Sequence, residues 1–324
     1  MMKQVLSLDP RSYVRHRIHG EGRTWAETNC YVDVWIELLH ALGCEPVAAL
    51  PFTLGIDFEG DQWTFFKFPL GDLHALYNLD VQELAIWRPL VRHVEEQVEQ
   101  GRPVLVELDS YYLPDTAGTA YRLDHVKSTV AAVAIDVEQH RLGYFHGQGY
   151  YELEGQDFVD VFRLGGATDP AALPPYVEFV KGAHRAQLQG EELLHASLAL
   201  LRKHLGYLPE HNPFIAFRQR FQQDLPWLMN EDLQTFHQYS FATLRQYGAC
   251  FELVTTYLDW LAQQGQSAVA PATAAFADIS TTAKAFQFQL ARAMSRKKEL
   301  DLSPLEAMGR HWERGTSLLQ TLYR

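Results

Sequence analysis

Thr28-Asn29-Cys30-Tyr31-Val32-Asp33-Val34-Trp35-Ile36-Glu37-Leu38-Leu39-His40, closed by Gly43, is the stretch on which the reading of this chain turns. Thr28 and Asn29 are residues that cap helices, and Gly43 is a stop signal. Between them Cys30, Val34 and Leu38 recur at helical spacing with Trp35 beside them, so the run predicts a helix. Asp33 and Glu37 are expected on its polar side. Cys30 then opens the helix. Unpaired amides at a helix N-terminus carry partial positive charge, which favours a thiolate. A thiolate is a nucleophile, and a histidine from a distant part of the chain is its usual base.

Working outward, Pro46 and Pro51 break the chain after that helix. A second helix is predicted from about Val81 to Gln100, ended by Gly101 and Pro103. Pro103-Val104-Leu105-Val106-Glu107-Leu108 reads as a short strand bounded by Asp109-Ser110, and Tyr111 to Gly118 as the loop leaving it. His125 opens a long apolar run that reaches Ile135. Asp136 to His140 reads as a turn, Arg141 to Gly147 as the returning strand, and Gly149 to Leu153 as its extension. A linker is expected at Gly165-Gly166-Ala167-Thr168-Asp169-Pro170, reinforced by Pro174-Pro175. Beyond it, amphipathic stretches at about 189–206, 213–223, 229–264, 270–296 and 303–322 read as an α-helical bundle. The expected organisation is α+β, with a mixed domain over residues 1–168 and a helical domain over 172–324 that covers the cleft and docks the partner.

Composition bounds the chemistry. The chain has 324 residues, 47% hydrophobic and 21% charged, which is a globular composition. A net charge of −12 argues against nucleic acid or an anionic membrane as partner. No window reaches the roughly 20 apolar residues of a membrane span, and residues 1–17 lack the apolar core of a signal peptide. Three cysteines, Cys30, Cys44 and Cys250, make no disulfide framework, so a cytoplasmic location with reduced thiols is expected. The 14 histidines are scattered and no zinc spacing is present, so no metal is expected.

A Cys30–His125 pair therefore stands as the candidate catalytic couple, with Cys44 and Cys250 as packing residues. The third role, orienting the imidazole, falls to His146 on the returning strand or to Glu152, which simple hairpin register could bring opposite His125. An oxyanion hole would combine the Cys30 N–H with Asn29 or Thr24; Glu27 is a further polar residue upstream. Tyr111 and Tyr112 are candidates to line the substrate.

This arrangement resembles the papain-like cysteine fold. More narrowly, it resembles the butirosin-biosynthesis aminoacyl transferase family and a related bacterial family. The residues that carry the likeness are Glu27 to Glu37, Val106 to Pro114, His125, Gly143-Tyr144-Phe145-His146 and, in the helical half, Arg245-Gln246-Tyr247-Gly248-Ala249-Cys250-Phe251-Glu252-Leu253. The resemblance implies a papain-like domain and acyl transfer through Cys30, with His125 as base and then acid. The donor it implies is an aminoacyl thioester on the phosphopantetheine of a carrier protein, the acceptor an amine, and no cofactor is bound. The family's third residue is usually acidic; Phe145-His146-Gly147 stands in its place here. A carrier protein is acidic, so docking would use a local basic face such as Arg292, Arg296, Lys297 and Lys298, or Arg11, Arg15 and Arg17. The competing readings are a cysteine hydrolase (peptidase or amidase) on the same scaffold and an inert binding protein.

Overall fold

A computed structural model describes residues 1–165 and 173–323. The linker expected at Gly165–Pro170 lies, past Gly165, outside the described residues. The architecture is α+β, an antiparallel sheet unit followed by a helical C-terminal region. The two compact units are not sequential blocks. The first holds residues 1–20, 29–46 and 70–188; the second holds 21–28, 47–69 and 189–324. The expected break at 168–172 thus misses two early segments that belong with the helices.

The first unit contains, in chain order, β1 (Lys3–Gln4), α1 (Cys30–Ala41), α2 (Leu70–Tyr77), β2 (Asp80–Glu83), α3 (Leu90–Glu99), β3 (Val104–Asp109), β4 (Lys127–Asp136), β5 (Arg141–His146), β6 (Gly149–Glu154), α4 (Gln156–Val161) and β7 (Val177–Lys181). The sheet order is β2-β7-β3-β4-β5-β6, every pair antiparallel, with β1 alongside the end of β4. The predicted 81–100 helix is corrected to a strand followed by a shorter helix. Pro89 precedes Leu90, and a proline disfavours helical backbone in the residue before it. Residues Asp80–Glu83 instead pair with β7, a strand beyond the expected linker.

Period-two alternation splits the sheet chemically. One face, with Val104, Val106, Leu108, Val130, Ala132, Ile135, Leu142 and Tyr144, packs on Val91, Val94 and Val98 of α3 and on Phe158 and Val161 of α4. The other face receives α1, which lies against β4, β5 and β6. α1 has no polar side: Tyr31 through Leu39 are all buried, including Asp33 and Glu37. Burying a large apolar side chain such as Trp35, Ile36 or Leu38 contributes roughly 1.5–3 kcal/mol. The two acids are tolerated because they are partnered. His19 places Nε2 3.1 Å from Asp33 Oδ1 and Nδ1 against Glu37 Oε1. Glu37 also accepts from the His16 N–H (3.1 Å) and the Tyr13 hydroxyl. Burial alone would lower the His19 pKa, but the hydrogen bonds its ring donates to Asp33 and Glu37, with their negative charges, outweigh it and raise it.

The second unit carries α5 (Gly190–Leu205), α6 (Pro213–Leu228), α7 (Leu233–Ser240), α8 (Gln246–Gln263), α9 (Ala270–Arg296) and α10 (Ser303–Tyr323), with a π-helical turn at Phe241–Arg245 between α7 and α8. Residues 47–69 supply aromatic core: the Trp63 ring lies tilted against Tyr247 at 4.8 Å and against Phe214 at 4.9 Å. Residues 21–28 lie along α8 and α9. Arg23 pairs with Glu252 at 3.1 Å, and Trp25 Nε1 donates to Ser280 Oγ at 3.1 Å. Gly248 is small for a reason: a Cβ there would sit 2.3 Å from Trp25 Cζ2.

Candidate active site

Asn29 caps α1. Its backbone is extended (φ −146°, ψ 159°) and its Oδ1 accepts from the Val32 N–H at 2.9 Å. Cys30 follows as the first helical residue, where the backbone N–H has no acceptor within the helix. Cys30 as a residue is half-buried, whereas Cys44 and Cys250 are buried. Burial pushes the Cys44 thiol up to about 12 and raises Cys250 as well, so both stay protonated. Cys30 Sγ lies 3.8 Å from Thr129 Oγ1, which fixes Thr129 on the α1 face of β4.

Register then locates the other groups. Thr129 stands opposite Glu107, and Lys127 opposite Asp109. Asp109 is two residues, about 7 Å, along the strand from Glu107 and on the same face. Its Oδ1 accepts from the Tyr111 N–H at 3.0 Å, and its Oδ2 lies 2.6 Å from His125 Nδ1. His125 therefore has a carboxylate orienter. The ring is stacked 4.3 Å from Tyr111 at 13°, with Tyr112 edge-on at 6.2 Å. Arg122 caps the two tyrosines at 5.5 and 5.3 Å and pairs with Asp157. The His125 side chain is 65% exposed. It lies just before β4 rather than in it, and its hydrogen bond goes to Asp109, not to Cys30.

The other expected residues lie elsewhere. His146 stands opposite Val130, on the face that packs against α3 and α4. Its Nε2 is 2.6 Å from Ser128 Oγ and its Nδ1 2.5 Å from Asp115 Oδ2, so both nitrogens are engaged away from His125. Glu152 stands opposite Gly143, which stands opposite Ala134. That is five residues, about 16 Å, along β4 from Thr129. It pairs there with Arg141 at 2.8 Å. Thr24 and Glu27 belong to the helical unit: the Thr24 N–H donates to Glu252 (2.7 Å), and Glu27 pairs with Arg245 (2.8 Å). Of the residues expected near the thiol, Asn29 adjoins it, while exposed His125 clusters with the partly buried Tyr111 and Tyr112 around Asp109. Sequence reading missed Asp109 and Thr129. The signal for Asp109 was its place at the end of β3, where an antiparallel β4 brings it opposite the residues that follow His125.

Of the basic groups expected to dock a partner, Arg11 pairs with Asp9 at 3.2 Å and Arg17 with Glu45 at 3.1 Å, while Arg15 bonds Gln148. Lys297 ends α9 in a left-handed cap. Among the described residues, no group of three or more His, Cys, Asp or Glu side chains is placed to hold a metal ion. Among them too, no helix is long and apolar enough to cross a membrane.

Residues 14–182 match the DUF1839 N-terminal domain and residues 190–321 the DUF1839 C-terminal domain. No curated protein matches the chain. Together the two matches cover nearly all of the sequence, and the chain belongs to the DUF1839 family.

Proposed function

We propose that this DUF1839-family chain is a cysteine-dependent acyltransferase on a papain-like fold, with Cys30 as nucleophile, His125 as base and acid, and Asp109 as the residue that orients His125. One observation carries the reading. Cys30 is half-buried and opens a helix seated on the sheet face of Thr129, Asp109 of the neighbouring strand falls on that face by register and bonds His125, and the other two cysteines are buried.

The hydrogen bonding of His125 supports these roles. Asp109 accepts from Nδ1–H and leaves Nε2 as the acceptor, the tautomer a general base needs. Catalytic hydrogen bonds are often long or unmade without substrate; His125 lies four residues, about 13 Å along the strand direction, from Thr129, so the proposal requires the segment before β4 to move toward the thiol in the reacting complex. In the proposed reaction His125 takes the thiol proton and Cys30 Sγ attacks a thioester carbonyl. The carbonyl oxygen is stabilised by the Cys30 N–H, and the departing phosphopantetheine thiolate takes the proton from His125. An amine then attacks the acyl-cysteine; His125 removes its proton and returns it to the sulfur. Tyr111 and Tyr112 would flank the acyl group. The donor is taken to be an aminoacylated carrier protein and the acceptor a small amine; no bound cofactor is required.

The test is intact and peptide mass spectrometry after incubation with an aminoacylated carrier protein. The aminoacyl mass is expected on Cys30 and absent from Cys30→Ala. Turnover by Cys30→Ala, or acylation of another residue, would remove this mechanism. Release of free amino acid without an amine acceptor would make the same centre a hydrolase.

A further inference from the structure

The opposite face of β4 has its own polar end. Along it the strand passes from Val130, fully buried, through Ser128, 8% exposed, to Val126, 49% exposed. Val126 continues the ladder, since its carbonyl accepts from the Ser110 N–H at 2.8 Å, so it lies on the same side as Ser128. Ser128 thus sits where an apolar core surfaces.

Beside it the side chains form a relay. Ser128 Oγ is 2.6 Å from His146 Nε2, and His146 Nδ1 is 2.5 Å from Asp115 Oδ2. The second Asp115 oxygen accepts from the Tyr144 hydroxyl. Burial, then the Asp115 charge, raises the Tyr144 pKa and keeps it a donor. A carboxylate can only accept, so Asp115 fixes the proton on Nδ1. Nε2 is left as acceptor for the serine O–H, the proton arrangement that activates a serine nucleophile. His146 and Asp115 are themselves shielded, their side chains 11% and 5% exposed.

We infer that Ser128, His146 and Asp115 form a second nucleophilic centre, of the serine-hydrolase type, acting on small carboxylic esters whose acyl group lies against Val126. It shares no residue with the Cys30 proposal and stands or falls apart from it. The reaction balances without a further reagent. Ser128 Oγ bonds to the ester carbonyl carbon and its proton passes to His146 Nε2. The C–O bond to the alcohol breaks and the alcohol leaves with that proton. Water, deprotonated by His146, then cleaves the acyl-serine to the acid and restores the hydroxyl.

A network that only ties the 113–121 loop to the sheet would show the same distances, so reactivity is the test. The full chain, as wild type and as Cys30→Ala, is treated with an alkyl fluorophosphonate and mapped by peptide mass spectrometry. The expected result is one phosphonyl group on Ser128 in both proteins, formed with loss of fluoride. Excess phenyl acetate should slow it and prior heat unfolding should abolish it. In a His146→Ala protein that keeps its circular dichroism, labelling should fall about 100-fold or more. No adduct on Ser128 of the folded wild-type chain overturns the inference, whatever the variants do. So does labelling of Ser128 that is equally fast in heat-unfolded protein or in folded His146→Ala.

Discussion

Replacing Glu37 by Gln tests the buried charge cluster that anchors α1, and with it the platform for Cys30. Glu37 is 0% exposed and receives three donors: the His19 ring, the His16 N–H and the Tyr13 hydroxyl. Glutamine keeps the shape and one acceptor oxygen but turns an NH2 toward those donors. The Tyr13 hydroxyl can rotate to accept; the His16 N–H cannot. His19 is left with Asp33 as its one remaining carboxylate. Hydrogen bonds to charged groups contribute about 1.5–3 kcal/mol each, and breaking a buried ion pair typically costs about 3–5 kcal/mol. The expected loss is therefore about 3–5 kcal/mol for the unit, a fall in Tm on the order of 10 °C. The sign with pH is fixed by His19. Its folded pKa is raised, so its contribution is complete below the unfolded value of about 6.5 and disappears as pH rises through the folded one. The gap between wild type and Glu37→Gln should be wider at pH 6 than at pH 9. Calorimetry or denaturant unfolding at both values measures it. A loss under about 1 kcal/mol, or a gap that widens with pH, would show that the cluster is not a buried cation held by carboxylates.

Three further outcomes follow from the same geometry. Iodoacetamide at neutral pH should label Cys30 well before Cys44 and Cys250, whose thiols are buried and held protonated; peptide mapping with equal, slow labelling of all three would contradict the site. Asp109→Asn should lower acylation of Cys30 by an aminoacyl donor about 10²–10⁴-fold with little change in Tm, because an amide can present the wrong hydrogen-bonding edge to His125 at an exposed position. An unchanged rate would remove Asp109 from the mechanism. Gly248→Ala should destabilise the helical unit by about 1–3 kcal/mol despite alanine's better helix propensity, since its methyl would meet a Trp25 ring fixed by Ser280; a rise in Tm would refute this packing.

Elements with strong local periodicity were legible before any coordinates. The helix beginning at Cys30, the strands from Val104, Arg141 and Gly149, and the helices at 190–205, 270–296 and 303–323 fall close to their expected places. The misses share a cause: the deciding partner is remote. Asp33 and Glu37 look solvated in a local window, because the histidine that satisfies them comes from residue 19. Asp80–Glu83 looks helical until Val177–Lys181 arrives to pair with it. Residues 21–28 and 47–69 join the helical unit through Trp25, Trp63 and Glu252, contacts that no composition shift announces.

The candidate sites were blurred for a different reason, the parity of a strand. Ser128 and Thr129 are neighbours in sequence yet face opposite sides of the sheet, because successive side chains alternate. Reading along the chain, the histidines at 125 and 146 look like parts of one constellation with Cys30. Register divides them. His146, opposite Val130, goes with Ser128 and Asp115; His125 goes with Asp109, which stands opposite Lys127. Each histidine thereby acquires its own carboxylate, and neither needs the other as an orienter. A one-residue shift in the β3–β4 pairing would turn Asp109 to the far face and dissolve the His125 pair while leaving both strands intact. The chemistry proposed for either face thus depends less on which residues the chain contains than on the pairing that decides where odd and even positions point.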